Sequence, residues 1–227
     1  MRIIALLLSL LLLGGVAPAC AEEPLAHATL YYQAHASLRI TTGEGKVIYI
    51  DPSEGDGYAV PADLILVTHG HSDHNRVTLV KNRNDDCQIF TQKEMLVKGE
   101  YQTVELGYVT VQAVQAGNNA NHSLKSCVGY VLTFSDGVRV YVSGDTSRTD
   151  QMAELAAPQL DYAFFCCDGV YNMGIAEAAE CAKLVAAKHT IPYHFGSGAS
   201  MPDQATIDAL GVEGLLLLTP GEELVLE

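Results

Sequence analysis

Thr68-His69-Gly70-His71-Ser72-Asp73-His74-Asn75 places three imidazoles and a carboxylate within six residues, directly after the apolar run Leu64 to Val67. In an extended segment residues two apart share a side, so His69 and His71, leaving a strand end, can face one point. Gly70 between them lets the backbone turn closely. Asp73 and His74 fall where the chain bends, and Asn75 ahead of Arg76-Val77-Thr78-Leu79-Val80 offers a helix cap. Such a loop can present two ligands to one ion and two to a neighbouring ion. Neutral imidazole with carboxylate suits zinc first, and by ligand type manganese or iron as well. A solvated polar loop has no need of four ligand-type side chains at this density, so the stretch reads as a metal site.

Outward from that loop, the chain of 227 residues has the length of one domain or at most two, and its 48% hydrophobic and 18% charged content is that of a globular protein. Met1-Arg2, the apolar run Ile3 to Val16, then Ala17, Ala19, Cys20 and Ala21 ahead of Glu22-Glu23 follow the order of a secretory signal. The run is shorter than the roughly 20 residues that cross a bilayer, so a stable membrane span is not expected. Residues 1–21 are therefore read as a signal peptide and residues 22–227 as one folded domain. This places the protein outside the cytoplasm, secreted or in the cell envelope. Cleavage before Cys20 with a lipid anchor is the alternative, although Ala17 is small for that signal.

The net charge is −14, and Lys and Arg are scattered without a basic cluster beyond Lys81 and Arg83. A phosphate-backbone partner demands a positive face, so nucleic acid is not expected as a partner and a small-molecule substrate is. Beyond the signal five cysteines remain, Cys87, Cys127, Cys166, Cys167 and Cys181, an odd number that cannot pair completely within one molecule.

The pattern predicts two short strands within Ala28 to Ile40, broken near Ala34-His35, and strands at Val47 to Ile50 and Leu64 to Val67. A helix is expected to start at Asn75 to Val80. Gln88 to Thr91 reads as a strand with a helix after it, and Tyr108 to Val114 as another strand. Val128 to Phe134 and Val138 to Val142 flank an Asp-Gly hairpin turn. Leu160 to Cys166 is an apolar strand, Ile175 to Ala187 a helix, Gln204 to Leu210 a short helix and Leu215 to Leu218 a closing strand. The mixture predicts helices layered on a sheet core.

Four ligands in one loop are too few for two ions. Three distant candidates stand at predicted strand ends or in a polar loop: His122 after Asn118-Asn119-Ala120-Asn121, Asp145 after Val142-Ser143-Gly144, and His194 after Ile191-Pro192-Tyr193. Taken singly each has a plain structural explanation. In order, however, His-x-His-x-Asp-His, a lone His, Gly-Asp-Thr and Pro-x-His resemble the metallo-β-lactamase-fold hydrolases, and among them the branch that includes ascorbate-6-phosphate lactonase. His35-Ala36-Ser37, Tyr49-Ile50-Asp51-Pro52 and Gly129-Tyr130-Val131 extend the likeness over nearly the whole chain beyond the signal.

The resemblance implies an α/β fold, a four-layer αββα sandwich with the site at one edge. It implies that His69, His71 and His122 hold a first divalent ion, that Asp73, His74 and His194 hold a second, and that Asp145 bridges them. A metal-bridging hydroxide would then attack a lactone, ester, amide or phosphoester, with Asp73 as the catalytic carboxylate that orients it or receives its proton. A Glu at position 71, usual in flavodiiron relatives, is replaced here by His71, which argues against electron transfer at iron. The rival readings are an exported metal- or ligand-binding protein without catalysis and, disfavoured by the charge, a nuclease.

Asp51 is read as a carboxylate that orients a ligand imidazole, and His35 as a group that can point into the pocket. Relatives have a Pro-x-Gly-Gly-like turn after the strand at Leu160 to Phe165. This chain reads Cys166-Cys167-Asp168-Gly169, so Cys167 and Asp168 are candidates to reach the substrate. The glycine loop Phe195-Gly196-Ser197-Gly198 is a candidate for close approach of the substrate.

Overall fold

The computed structural model describes residues 26–196 and 200–227. The expected signal peptide with Cys20, and Ser197 and Gly198 of the glycine loop, lie outside the described residues. In chain order the strands are β1 (Ala28–Ala34), β2 (Ser37–Thr41), β3 (Val47–Ile50), β4 (Ala62–Leu66), β5 (Arg83–Phe90), β6 (Leu96–Val97), β7 (Glu100–Tyr101) and β8 (Thr103–Glu105). They continue as β9 (Val109–Gln115), β10 (Val128–Phe134), β11 (Arg139–Val142), β12 (Tyr162–Cys166), β13 (His189–Tyr193) and β14 (Glu223–Leu226). The helices are α1 (Gln92–Met95), α2 (Ile175–Val185) and α3 (Gln204–Asp208).

Two six-stranded sheets result, ordered β14-β1-β2-β3-β4-β5 and β13-β12-β11-β10-β9-β8. β3, β4 and β5 run parallel, as do β11, β12 and β13. The strands β3, β4 and β12 are buried at every residue, which is what parallel strands covered on both faces require. Between the sheets lies one core in which Leu30, Leu38, Ile40, Ile48 and Leu64 of the first sheet meet Val111, Tyr130 and Leu132 of the second. Burying each such aliphatic side chain contributes roughly 1.5–3 kcal/mol.

The outer layers are unequal. α2 covers the second sheet with Ala178, Ala179, Cys181, Ala182 and Val185, small residues that let the helix lie close to β12. On the first sheet Val47, Tyr49, Ile65 and Val67 pack instead against Tyr58 and Val80, supplied by loops. The helix expected from Asn75 is there only a 3-10 turn, Val77–Leu79. It begins after Arg76 and has no side-chain cap. Arg76 N–H donates to the Pro52 carbonyl (2.7 Å), so the segment is held to the β3 exit rather than wound into a helix. The closing strand also differs: Leu215 makes one isolated bridge to Thr190, and the strand that completes the first sheet is β14, paired with β1.

The parallel strands set the location of the site. Asp51 follows β3, the histidine loop follows β4, Asp145 follows β11, Asp168 follows β12 and His194 follows β13. Functional groups thus collect at the carboxyl ends of parallel strands from both sheets. The sheets are tied there by the Tyr130 hydroxyl donating to the Val67 carbonyl (2.8 Å), by Val128 N–H donating to the Thr68 carbonyl (3.0 Å), and by a bridge between His69 and Cys127.

Candidate metal centre

Three residues at this edge hold left-handed backbone that side chains rarely adopt: His35 (φ 53°) in the turn between β1 and β2, Asp51 (φ 46°) after β3, and His194 (φ 55°) after β13. Such conformations persist where surrounding structure dictates them. His194 N–H donates to the His35 carbonyl (3.1 Å), and the Tyr32 hydroxyl donates to the same oxygen (3.0 Å). Gly144 (φ 60°) precedes Asp145 where a Cβ would lie 2.9 Å from Thr68 Cβ, so only glycine lets the β11 exit approach the histidine loop.

Asp145 sits at the middle, 3% exposed. Its Oδ1 is 3.2 Å from His74 Nε2 and 3.1 Å from His194 Nε2, while its Oδ2 is 3.3 Å from His122 Nε2 and 4.0 Å from His69 Nε2. Three sets of donor atoms are close enough together to hold an ion: His69, His71 and His122; His69, His74 and Asp145; and His35, Asp73, His74 and His194. Every predicted metal-ligating residue is therefore brought into one cluster, and His35 joins it, its ring 3.8 Å from that of His194.

The carboxylates behind the cluster fix which nitrogen faces inward. Asp51, fully buried, accepts from Thr68 N–H (2.7 Å), from the Thr68 hydroxyl (2.7 Å) and from His74 Nδ1 (2.8 Å). The Thr68 hydroxyl in turn is 3.1 Å from His69 Nδ1. Because that hydroxyl already donates to Asp51, it accepts from His69, so one carboxylate orients two imidazoles. Asp168 Oδ2 lies 3.3 Å from His194 Nδ1 and does the same for the third. His35 Nδ1 is 2.7 Å from the Gly196 carbonyl, which can only accept, leaving Nε2 toward Asp73 at 3.4 Å.

This arrangement leaves inward lone pairs that fit a cation. His69 Nε2 is buried without a hydrogen-bond partner, and Asp145 Oδ1 forms no hydrogen bond despite its two histidine neighbours. His74 Nε2 and His194 Nε2 stand 3.2 Å apart, while Nδ1 of each ring faces a carboxylate. Two imidazole lone pairs aimed at one another are unfavourable unless a cation or a proton lies between them. Against its burial, Asp145 and Asp51 hold the His74 imidazole well above the usual histidine range. Burial and the neighbouring rings push His69 down to about 2. Asp145, although buried, is drawn well below the usual carboxylate range by His74, His194 and His69. The His35 contact likewise holds Asp73 below that range.

The predicted residues of the Cys166 turn separate. Cys167 does not reach the cleft over the cluster: its thiol donates to the Phe165 carbonyl (3.2 Å), and burial pushes it up to about 12. Cys166 is buried, its thiol donating to the Thr146 carbonyl (3.4 Å). Both are packing residues, because the β12 register turns them into the protein. Asp168 contacts His194 and lines, with Cys167, a depression other than the cleft over the cluster. The role of Thr68 went unassigned from sequence, since a hydroxyl beside a ligand histidine carries no distinctive signal.

The fold and this cluster define a metal-dependent hydrolase built on the metallo-β-lactamase fold. The chain belongs to the β-lactamase superfamily: residues 29–194 match the family described as a β-lactamase superfamily domain. A UPF0173 metal-dependent hydrolase of Thermococcus kodakarensis is 30% identical over 224 residues, covering 86% of this chain and 98% of the relative. One from Chloroflexus aurantiacus is 32% identical over 203 residues, covering 74% and 83%. The solved structure of a candidate metal-dependent hydrolase from Parabacteroides distasonis superposes with a TM-score of 0.70 at 30% identity, covering 84% of this chain and 92% of that one.

Proposed function

We propose that the protein is an exported dinuclear hydrolase. In this reading His69, His71 and His122 hold one divalent ion, Asp73, His74 and His194 the other, and Asp145 is shared. The observation that carries it is the division of the Asp145 carboxylate, one oxygen toward His74 and His194 and the other toward His122 and His69. Ions bound there supply an activated water near neutral pH and polarise the substrate oxygen. Zinc suits the donor set first, with manganese or iron as alternatives.

The chain's own groups divide the remaining work. Asp51 and Asp168 hold Nδ1 of His74 and His194 so that each Nε2 faces the cluster, and Thr68 relays Asp51 to His69. Asp73, kept anionic by His35, orients the attacking water. The cleft above these groups has a volume of about 480 Å³, room for a small ester, lactone, amide or phosphoester.

The test is metal analysis of the purified full chain together with turnover on an ester, a lactone and a phosphodiester. Two equivalents of metal and hydrolysis abolished in His69→Ala support the reading; metal-bound protein that turns over none of them would leave a binding protein without catalysis. Export rests on residues 1–21 and is checked by N-terminal sequencing of protein from the cell envelope and medium. An N-terminus at Glu22 is expected, and a blocked, lipid-modified Cys20 would identify the anchored form.

A further inference from the structure

After β12 the chain makes a turn whose base, Asp168, supports His194 and whose tip, Val170-Tyr171, has no part in the metal chemistry. Asp168 Oδ1 accepts from the backbone N–H groups of Val170 (2.7 Å), Tyr171 (2.8 Å) and Asn172 (3.0 Å), and Oδ2 accepts from Asn172 Nδ2 (2.9 Å). One carboxylate thus pins three successive amides and, through its other oxygen, His194. The turn is rigid at its base and registered to a residue of the metal cluster.

Its tip is apolar. Val170 and Tyr171 are 74% and 63% exposed, the two most exposed large hydrophobic residues among those described, and they are adjacent. The Tyr171 carbonyl accepts from Asn121 Nδ2 (3.2 Å), which ties the tip to the loop that carries His122. Tyr171 lines the cleft together with Ala120, Asn121, His71, Asp73 and His122. The lining of the reaction cleft therefore combines metal-binding groups with neutral residues, one of them a tyrosine.

Charge narrows what fits. Among the described residues that line the cleft there is no Lys or Arg. Lys125 lines an adjoining depression that meets the cleft at Ala120 and His122. Beyond the oxygen that bound ions would hold, a phosphoryl group is ordinarily met by Arg or Lys forks, and none lines the cleft to take its further oxygens. An uncharged acyl group asks for no such partner, and an apolar substituent gains by covering an exposed tyrosine ring.

We propose that the Asp168-pinned turn is the specificity element of this hydrolase, with Tyr171 selecting uncharged carboxylic esters and lactones that carry an apolar or aromatic group. The proposal rests on the hydrolase reading above. In the reaction the water oxygen bonds to the acyl carbon, the acyl C–O bond breaks, and a proton passes to the departing alkoxide, giving acid and alcohol.

The experiment measures kcat and KM of the metal-loaded full chain on 4-nitrophenyl butyrate, an alkyl-substituted γ-lactone and bis(4-nitrophenyl) phosphate, for wild type, Tyr171→Ala and Tyr171→Phe. The expected result is kcat/KM for the ester and lactone at least about tenfold above the phosphodiester, with KM for them raised about tenfold in Tyr171→Ala and restored in Tyr171→Phe. Preference for the phosphodiester, or ester turnover indifferent to Tyr171→Ala, overturns this proposal alone. No turnover of any arm by metal-loaded protein overturns the hydrolase reading and this proposal together.

Discussion

The two halves of the metal cluster are built differently. His74 and His194 are 0% and 3% exposed, and each has a carboxylate directly behind its Nδ1, Asp51 and Asp168 respectively. His71 is exposed, and His122, unlike His194, has no carboxylate beside its buried Nδ1; Nδ1 of His71 meets Nε2 of His122, at 3.2 Å. The half formed by His74 and His194 is pre-oriented by carboxylates; in the other half only His69 has such support, through Thr68, and groups of both halves line the cleft. Asp145 joins them. The difference teaches that ligand identity and ligand preparation are separate properties, and the exposed His71 marks the side from which a substrate is expected to approach.

Removing the shared carboxylate should break the contrast altogether. Asp145→Ala is expected to unload both halves and lower kcat/KM by about 10³-fold or more, measured by steady-state kinetics beside metal analysis. Removing the support of one half should sharpen it. Asp51→Ala strips the partner from His74 and from Thr68, leaving buried donors that cost about 1–3 kcal/mol each. It should lower the Tm and weaken metal binding roughly 10–100-fold. Full loading with normal activity would sink the role given to Asp51. A smaller effect is expected for Asp168→Asn. The amide oxygen can still accept from the turn, but an NH₂ facing His194 favours the wrong tautomer. Metal affinity should fall about tenfold with the Tm nearly unchanged, seen by equilibrium dialysis and thermal melts.

The smallest prediction is electrostatic. In metal-free protein the folded His69 titrates at about 2, below its unfolded value. Between about pH 6.5 and 2 the unfolded chain binds a proton there that the folded chain refuses, so this residue makes stability fall as pH falls, with a slope of at most about 1.4 kcal/mol per pH unit. His74, raised when folded, acts oppositely: its contribution is present below about pH 6.5 and is lost as pH rises through its folded value. Metal-free His69→Gln should therefore lose less stability than metal-free wild type between pH 6.5 and 5, measured by urea denaturation.

Much of this was legible in the chain because the signals are local. His69, His71, Asp73 and His74 lie in one loop, and Asp145 and His194 each follow an apolar strand. What stayed hidden depends on distant contacts. β14 contains Glu223 and an exposed Val225, and its place beside β1 comes from pairing across nearly the whole chain. The expected cap at Asn75 yielded because Arg76 is bound to Pro52 instead. Cys167 and Asp168 are neighbours of similar promise in sequence. The β12 register buries the thiol and turns the carboxylate to His194.

The most direct test of the two-halves account is a metal titration of stripped wild-type protein, following bound equivalents and turnover in the same samples. The account predicts two equivalents per chain, the first bound more tightly, with hydrolysis appearing as the second is taken up. Full turnover after a single equivalent would contradict it.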